Sequence, residues 1–174
     1  MRISTAGNSN RTSGFTLIEL AVVILLIGLF SLISVPLLSH TGQRGLDASA
    51  RRLAGTVKYL FNETALTGPE HRLVFNLDQG RYYAMVREED GALESVTGPG
   101  KGTSLRKGVR FNQINLPGRG SFTSGEVTVR IHPSGWLEET VAQLTDEDQT
   151  LTLRMNPLTG ASEIFEGARE FAQD

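Results

Sequence analysis

The chain contains no cysteine, which excludes disulfides and thiolate metal sites. Global basicity is also missing. Seventeen Lys and Arg stand against nineteen Asp and Glu, for a formal net charge of −2, so bulk charge does not point to nucleic acid. The three histidines, His40, His71 and His132, are scattered. Neither G-x-S-x-G nor H-E-x-x-H occurs. Asp146, Glu147 and Asp148 cluster without the spaced oxygen ligands of a calcium loop and read as a solvated turn. In "HPSGW" His132 stands two residues from Ser134, but the proline and glycine make this a hairpin turn. A base and a nucleophile are not expected within reach of each other there. No cofactor, no metal site and no catalytic residue follows from the pattern, and the chain reads as a non-enzyme.

What the chain has is an apolar run. Its 174 residues are 39% hydrophobic and 21% charged, an ordinary globular composition with room for one domain. Yet from Leu20 to Leu38 no side chain is charged. About 20 residues at about 1.5 Å each cross a hydrocarbon core. The apolar part of a secretory signal is only about 7–15 residues and ends in small residues, and this run is longer and lacks that ending. Before it lies a short polar segment, Met1–Gly14, with Arg2 and Arg11 and no acid. Positive charge stays on the cytoplasmic side. The N-terminus is therefore expected in the cytosol and the bulk of the chain outside. One residue conflicts with the run: Glu19. A charge within a spanning helix costs about 2.5–3.5 kcal/mol on insertion scales, so a partner must be sought.

The stretch "GFTLIEL", Gly14–Leu20, resembles the class III signal of type IV pilins and type II secretion pseudopilins. The resemblance implies that a prepilin peptidase cuts after Gly14, that Phe15 becomes an N-methylated N-terminus, and that Glu19 serves filament assembly. In a packed filament the Glu19 carboxylate would meet the N-terminal amine of a neighbouring Phe15. A buried carboxylate is tolerable when paired. The alternative is that Glu19 reaches back to the cytoplasmic headgroups. Gly28 and Pro36 also match family positions. Glycine and proline both weaken a helix interior, so residues 28–36 are expected to be its flexible part. The implied organisation is a leader at 1–14, a transmembrane and filament-core helix at 15–39, and a periplasmic domain at 40–174. The inner membrane would hold the helix as a single pass.

Past the apolar run, Leu46, Ala50, Leu53, Ala54, Val57, Leu60, Phe61 and Ala65 recur at spacings of three and four. Charged residues fill the opposite face, and "TGP" at Thr67–Pro69 ends the helix. The period then changes to two. "HRLVFNL", "RYYAMVRE", "GVRFNQI", "EVTVRIH", "WLEETVAQL", "TLTLRMN" and "SEIFE" read as strands between turn signals, mostly in antiparallel meanders. The Gly-rich segments "TGPGKGTS" and "NLPGRGSFTSG" read as mobile loops and fit no phosphate-cradle spacing. One long helix followed by strands predicts an α+β fold, with residues 46–65 packed on an antiparallel sheet. That architecture is pilin-like, and the pattern of the later chain is similar to the GspH/FimT minor pseudopilins and pilins.

Charge is uneven. Residues 101–119 carry Lys101, Arg106, Lys107, Arg110 and Arg119 and no acid, whereas residues 126–174 carry ten acids against three arginines. Opposed faces can fix register between neighbours, or both can simply be solvated. Two functions follow from the resemblance. The first is a minor pseudopilin of a type II secretion system, with other pseudopilins, the prepilin peptidase and the assembly platform as partners. The second is a FimT-like minor pilin that binds DNA for uptake. DNA capture needs clustered Lys and Arg at phosphates, and the acidic C-terminal part opposes it.

Overall fold

The computed structural model describes residues 15–170, and of residues 32–43 the backbone course alone. The chain divides into two compact units, Met1–Ser39 and His40–Asp174. Helix α1 runs Leu17–Thr67. It stops where Gly68, at φ 93°, takes a left-handed conformation and donates its N–H to the carbonyl of Thr64.

Eleven strands follow among the described residues: β1 His71–Asn76, β2 Arg81–Arg87, β3 Leu93–Ser95, β4 Thr103–Ser104, β5 Arg110–Leu116, β6 Gly120–Phe122, β7 Glu126–His132, β8 Trp136–Leu137, β9 Thr140–Thr145, β10 Thr150–Met155 and β11 Ser162–Glu166. They form two antiparallel sheets rather than one. The first has the order β3-β2-β1-β7-β8, with β4 also paired to β2, and the second has the order β11-β10-β9-β5-β6. Short hairpins are as expected, but the pairs β1–β7 and β5–β9 join strands distant in sequence.

Two sequence expectations need correction. The two Gly-rich segments are not bare loops. The first holds a 3-10 turn, Gly98–Gly100, and β4, and the second forms most of the β5–β6 hairpin. The segment "WLEETVAQL" is not one strand. It breaks at Glu138 and Glu139, with Trp136–Leu137 in the first sheet and Thr140–Thr145 in the second. The chain changes sheets there, so neither sheet could hold all nine residues.

One apolar core joins the helix to both sheets. Leu46, Ala50, Leu53, Val57, Leu60 and Phe61 of α1 meet Leu73, Phe75, Val129 and Ile131 of the first sheet and Phe111, Ile114, Ala142, Leu144 and Leu153 of the second. Burying one such Leu or Ile contributes about 1.5–3 kcal/mol. Phe75 and Phe111 bridge the sheets edge to face, centroids 5.5 Å apart. Strand β7 alternates, with Val127, Val129 and Ile131 inward, while β9 is buried along its whole length, as a strand covered on both faces must be.

The buried stripe of the helix differs from the spacing rule at its end. Ala65 is exposed and Thr64 is buried. The Thr64 hydroxyl donates to the carbonyl of Leu60, 2.7 Å, and therefore accepts from Nδ1–H of the buried His71 at 2.8 Å. The Pro69 carbonyl lies 3.2 Å from the same nitrogen. This polar contact turns the last helical turn toward β1. Burial holds the His71 imidazole below its ordinary pKa, against smaller upward pulls from the Pro69 carbonyl and Glu63.

Candidate assembly site

Gly14 lies outside the described residues, so the Gly14–Phe15 junction itself has no described geometry. Phe15 is exposed, and the helix begins two residues later. Thr16 caps it. The Glu19 N–H donates to Thr16 Oγ1 at 3.3 Å, and the Leu20 N–H makes the first helical bond, to the Thr16 carbonyl at 3.2 Å. Thr-x-x-Glu is the capping-box pattern, a signal present in "TLIE" and overlooked in the sequence reading. Glu19 thus stands in the first turn, where its charge also complements the helix dipole. Its side chain is exposed.

From Phe15 to Ser31 the helix presents apolar side chains on every side, and Leu17, Ile18, Leu25 and Phe30 are among the most exposed. Such a continuous uncovered surface marks a membrane or partner contact. Gly28 has no other group within 4 Å of the place a Cβ would occupy, so packing does not require glycine there. Ser31 donates back to the Ile27 carbonyl at 2.8 Å. Pro36 falls within the helix, in the stretch known by its backbone alone. Among the described residues, no helix is long and apolar enough to cross a membrane. The fully described part of the run ends at Ser31, short of the about 20 residues that a span needs.

In the second unit, charged side chains fix the strand hairpins. Glu138 accepts from Arg119 at 3.1 and 3.3 Å and from the Arg130 N–H at 3.3 Å, while Arg119 also donates to the Thr128 carbonyl at 2.9 Å. Arg119 is therefore engaged in holding the β5–β6 turn to β7. Lys101, Arg106, Lys107 and Arg110 are exposed. The Asp146 carboxylate accepts from the Asp148 and Gln149 N–H groups at 3.0 and 2.8 Å, which makes the acidic cluster a turn. Among the described residues no group of three potential metal ligands forms.

The "HPSGW" turn differs from expectation in one respect. His132 Nδ1 lies 2.8 Å from Ser134 Oγ, so the two are within reach. The same nitrogen accepts the Ser134 N–H at 3.3 Å. The ring therefore caps the β7–β8 turn, and both side chains are exposed.

Comparison with known proteins gives two findings. The profile of the prokaryotic N-terminal methylation motif matches residues 9–35. Two solved structures of the minor pseudopilin EpsH from the type II secretion system of Vibrio cholerae share the fold. One aligns with a TM-score of 0.59 over 73% of this chain and 97% of EpsH, the other with 0.56 over 70% and 96%, each at 14% identity. The fold is thus the pilin-like α+β arrangement of EpsH. A search of curated protein sequences finds no match.

Proposed function

We propose that this chain, which joins the N-terminal methylation motif of type IV pilins and pseudopilins to a GspH-like pilin fold, is a minor pseudopilin of a type II secretion system. The observation that carries the reading is that conjunction: the motif at residues 9–35 and a domain with the fold of EpsH in one chain. A prepilin peptidase cuts after Gly14 and Phe15 is methylated. The apolar helix holds the chain in the inner membrane, N-terminus in the cytoplasm and domain in the periplasm. The same helix then enters a short filament beside other pseudopilins on the assembly platform. Glu19 neutralises the amine of a neighbouring Phe15 in that packing. The work is structural rather than catalytic. The His132–Ser134 pair is exposed and serves a turn, which supports this.

The DNA-binding alternative rests on four exposed cations, Lys101, Arg106, Lys107 and Arg110. Arg119 is already engaged by Glu138, and the acids of residues 126–174 repel phosphate. The test compares export with uptake. A strain lacking this chain should retain secreted proteins in its periplasm, and the intact chain should restore release. Normal export with a loss of DNA uptake would replace the secretion reading by the DNA one.

A further inference from the structure

A cavity of about 260 Å³ opens between α1 and β4. Ser49 and Arg52 of the helix line it, with Tyr82 of β2 and Thr103, Ser104 and Arg106 of β4 and the segment after it. No acid is among its lining residues. Both arginines are exposed, and among the described residues neither forms an ion pair. The two walls are tied together. The Arg106 N–H donates to Ser49 Oγ at 3.1 Å, and that hydroxyl donates to the Gly45 carbonyl at 2.8 Å.

The Tyr82 hydroxyl is buried without a hydrogen-bond partner. The Thr56 and Thr103 hydroxyls lie beside it, but neither contact has hydrogen-bond geometry. Both threonines donate elsewhere, to the carbonyls of Arg52 and Lys101. Burial raises the phenol above its ordinary pKa, so it stays a neutral donor at physiological pH. Each threonine hydroxyl that donates elsewhere can still accept, so the Tyr82 hydroxyl stays inside the wall between them rather than facing the cavity.

Two arginines, with no acid among the lining residues, suit a small ligand of double negative charge. A phosphate monoester carries about −1.5 to −2 at neutral pH and offers three acceptor oxygens. Arginine pairs with it through two parallel hydrogen bonds. A single carboxylate would leave one guanidinium unmatched, and the cavity holds one group, not a strand of nucleic acid. We propose that this cavity binds one phosphate monoester between Arg52 and Arg106, either free phosphate or the headgroup of phosphatidic acid.

The test uses the full chain extracted from membranes in a neutral detergent, labelled with 15N. Inorganic phosphate is titrated against sodium chloride at matched ionic strength. Saturable shifts of the Ser49 and Arg106 amides are expected with phosphate alone. Arg52→Gln and Arg106→Gln should each weaken binding about tenfold or more, as loss of a charged hydrogen bond implies. Both arginines are exposed, so their variants keep the fold while they test the site. Phosphatidic acid that displaces phosphate from the micelle-bound protein identifies the headgroup as a ligand; failure to displace assigns the site to free phosphate. Shifts that follow ionic strength alone, or unchanged affinity in both arginine variants, would overturn the proposal. So would a DNA oligonucleotide that binds through Arg52 and Arg106 where phosphate does not.

Discussion

Gly160→Ala should be among the most damaging single changes in the second unit. Gly160 ends the turn Asn156–Gly160, which packs against the helix. Asn156 Oδ1 accepts the Leu158 and Thr159 N–H groups, Lys58 Nζ reaches the Thr159 carbonyl at 2.7 Å, and the Leu137 N–H donates to the Pro157 carbonyl. Gly160 has φ 64°, and an added Cβ would overlap Cβ and Cγ of Phe61. The left-handed conformation costs an L-residue about 1–2 kcal/mol, and overpacking about 1–3 kcal/mol. Together they predict a loss of about 2–5 kcal/mol. The assay is urea unfolding of residues 40–174, with Gly118→Ala as the control. Gly118 also has positive φ, 82°, but nothing within 4 Å, so it reports the backbone cost alone. Equal losses in the two variants would refute the close approach of turn and helix.

Two further outcomes follow. Mass spectrometry of the membrane-extracted protein should give a chain that starts at a methylated Phe15; a start near Ser39 would mean an ordinary secretory signal. His71 is held below its usual pKa of 6.5, so the unfolded chain takes up its proton first as the pH falls. Stability should therefore be full above about pH 6.5, decline below it, and level off once the folded imidazole is also protonated. His71→Asn should flatten that decline in urea unfolding from pH 7 to 5, and an unchanged slope would contradict it.

The helix and the long strands were legible because periodicity reports burial directly: Leu46, Leu53, Val57 and Leu60 lie inward where their spacing put them. Strands β3, β4 and β6 were not, since two or three residues carry no period, and their partners hold them extended. The split into two sheets depends on pairings such as Leu73 with Val129 and Ile114 with Ala142, which no local pattern encodes. The break at Glu138 was hidden for the same reason, because its partner Arg119 lies across a hairpin. Thr16 was legible and missed. The cavity between α1 and β4 was not legible, because Arg52 and Arg106 come to line it only through tertiary packing.

Glu19 has two accounts, a helix-starting role beside Thr16 and an assembly role beside a neighbour's Phe15, and one measurement separates them. A capping box accepts glutamine as well as glutamate, so Glu19→Gln keeps the first role and removes the charge needed for the second. A desolvated amine without its carboxylate carries a penalty of several kcal/mol. At equal membrane levels, cross-linking of the domain to other pseudopilins should therefore be lost in Glu19→Gln as fully as in Glu19→Ala. Cross-linking by the glutamine variant at the level of the unaltered chain would contradict the account and leave Glu19 as a helix cap alone.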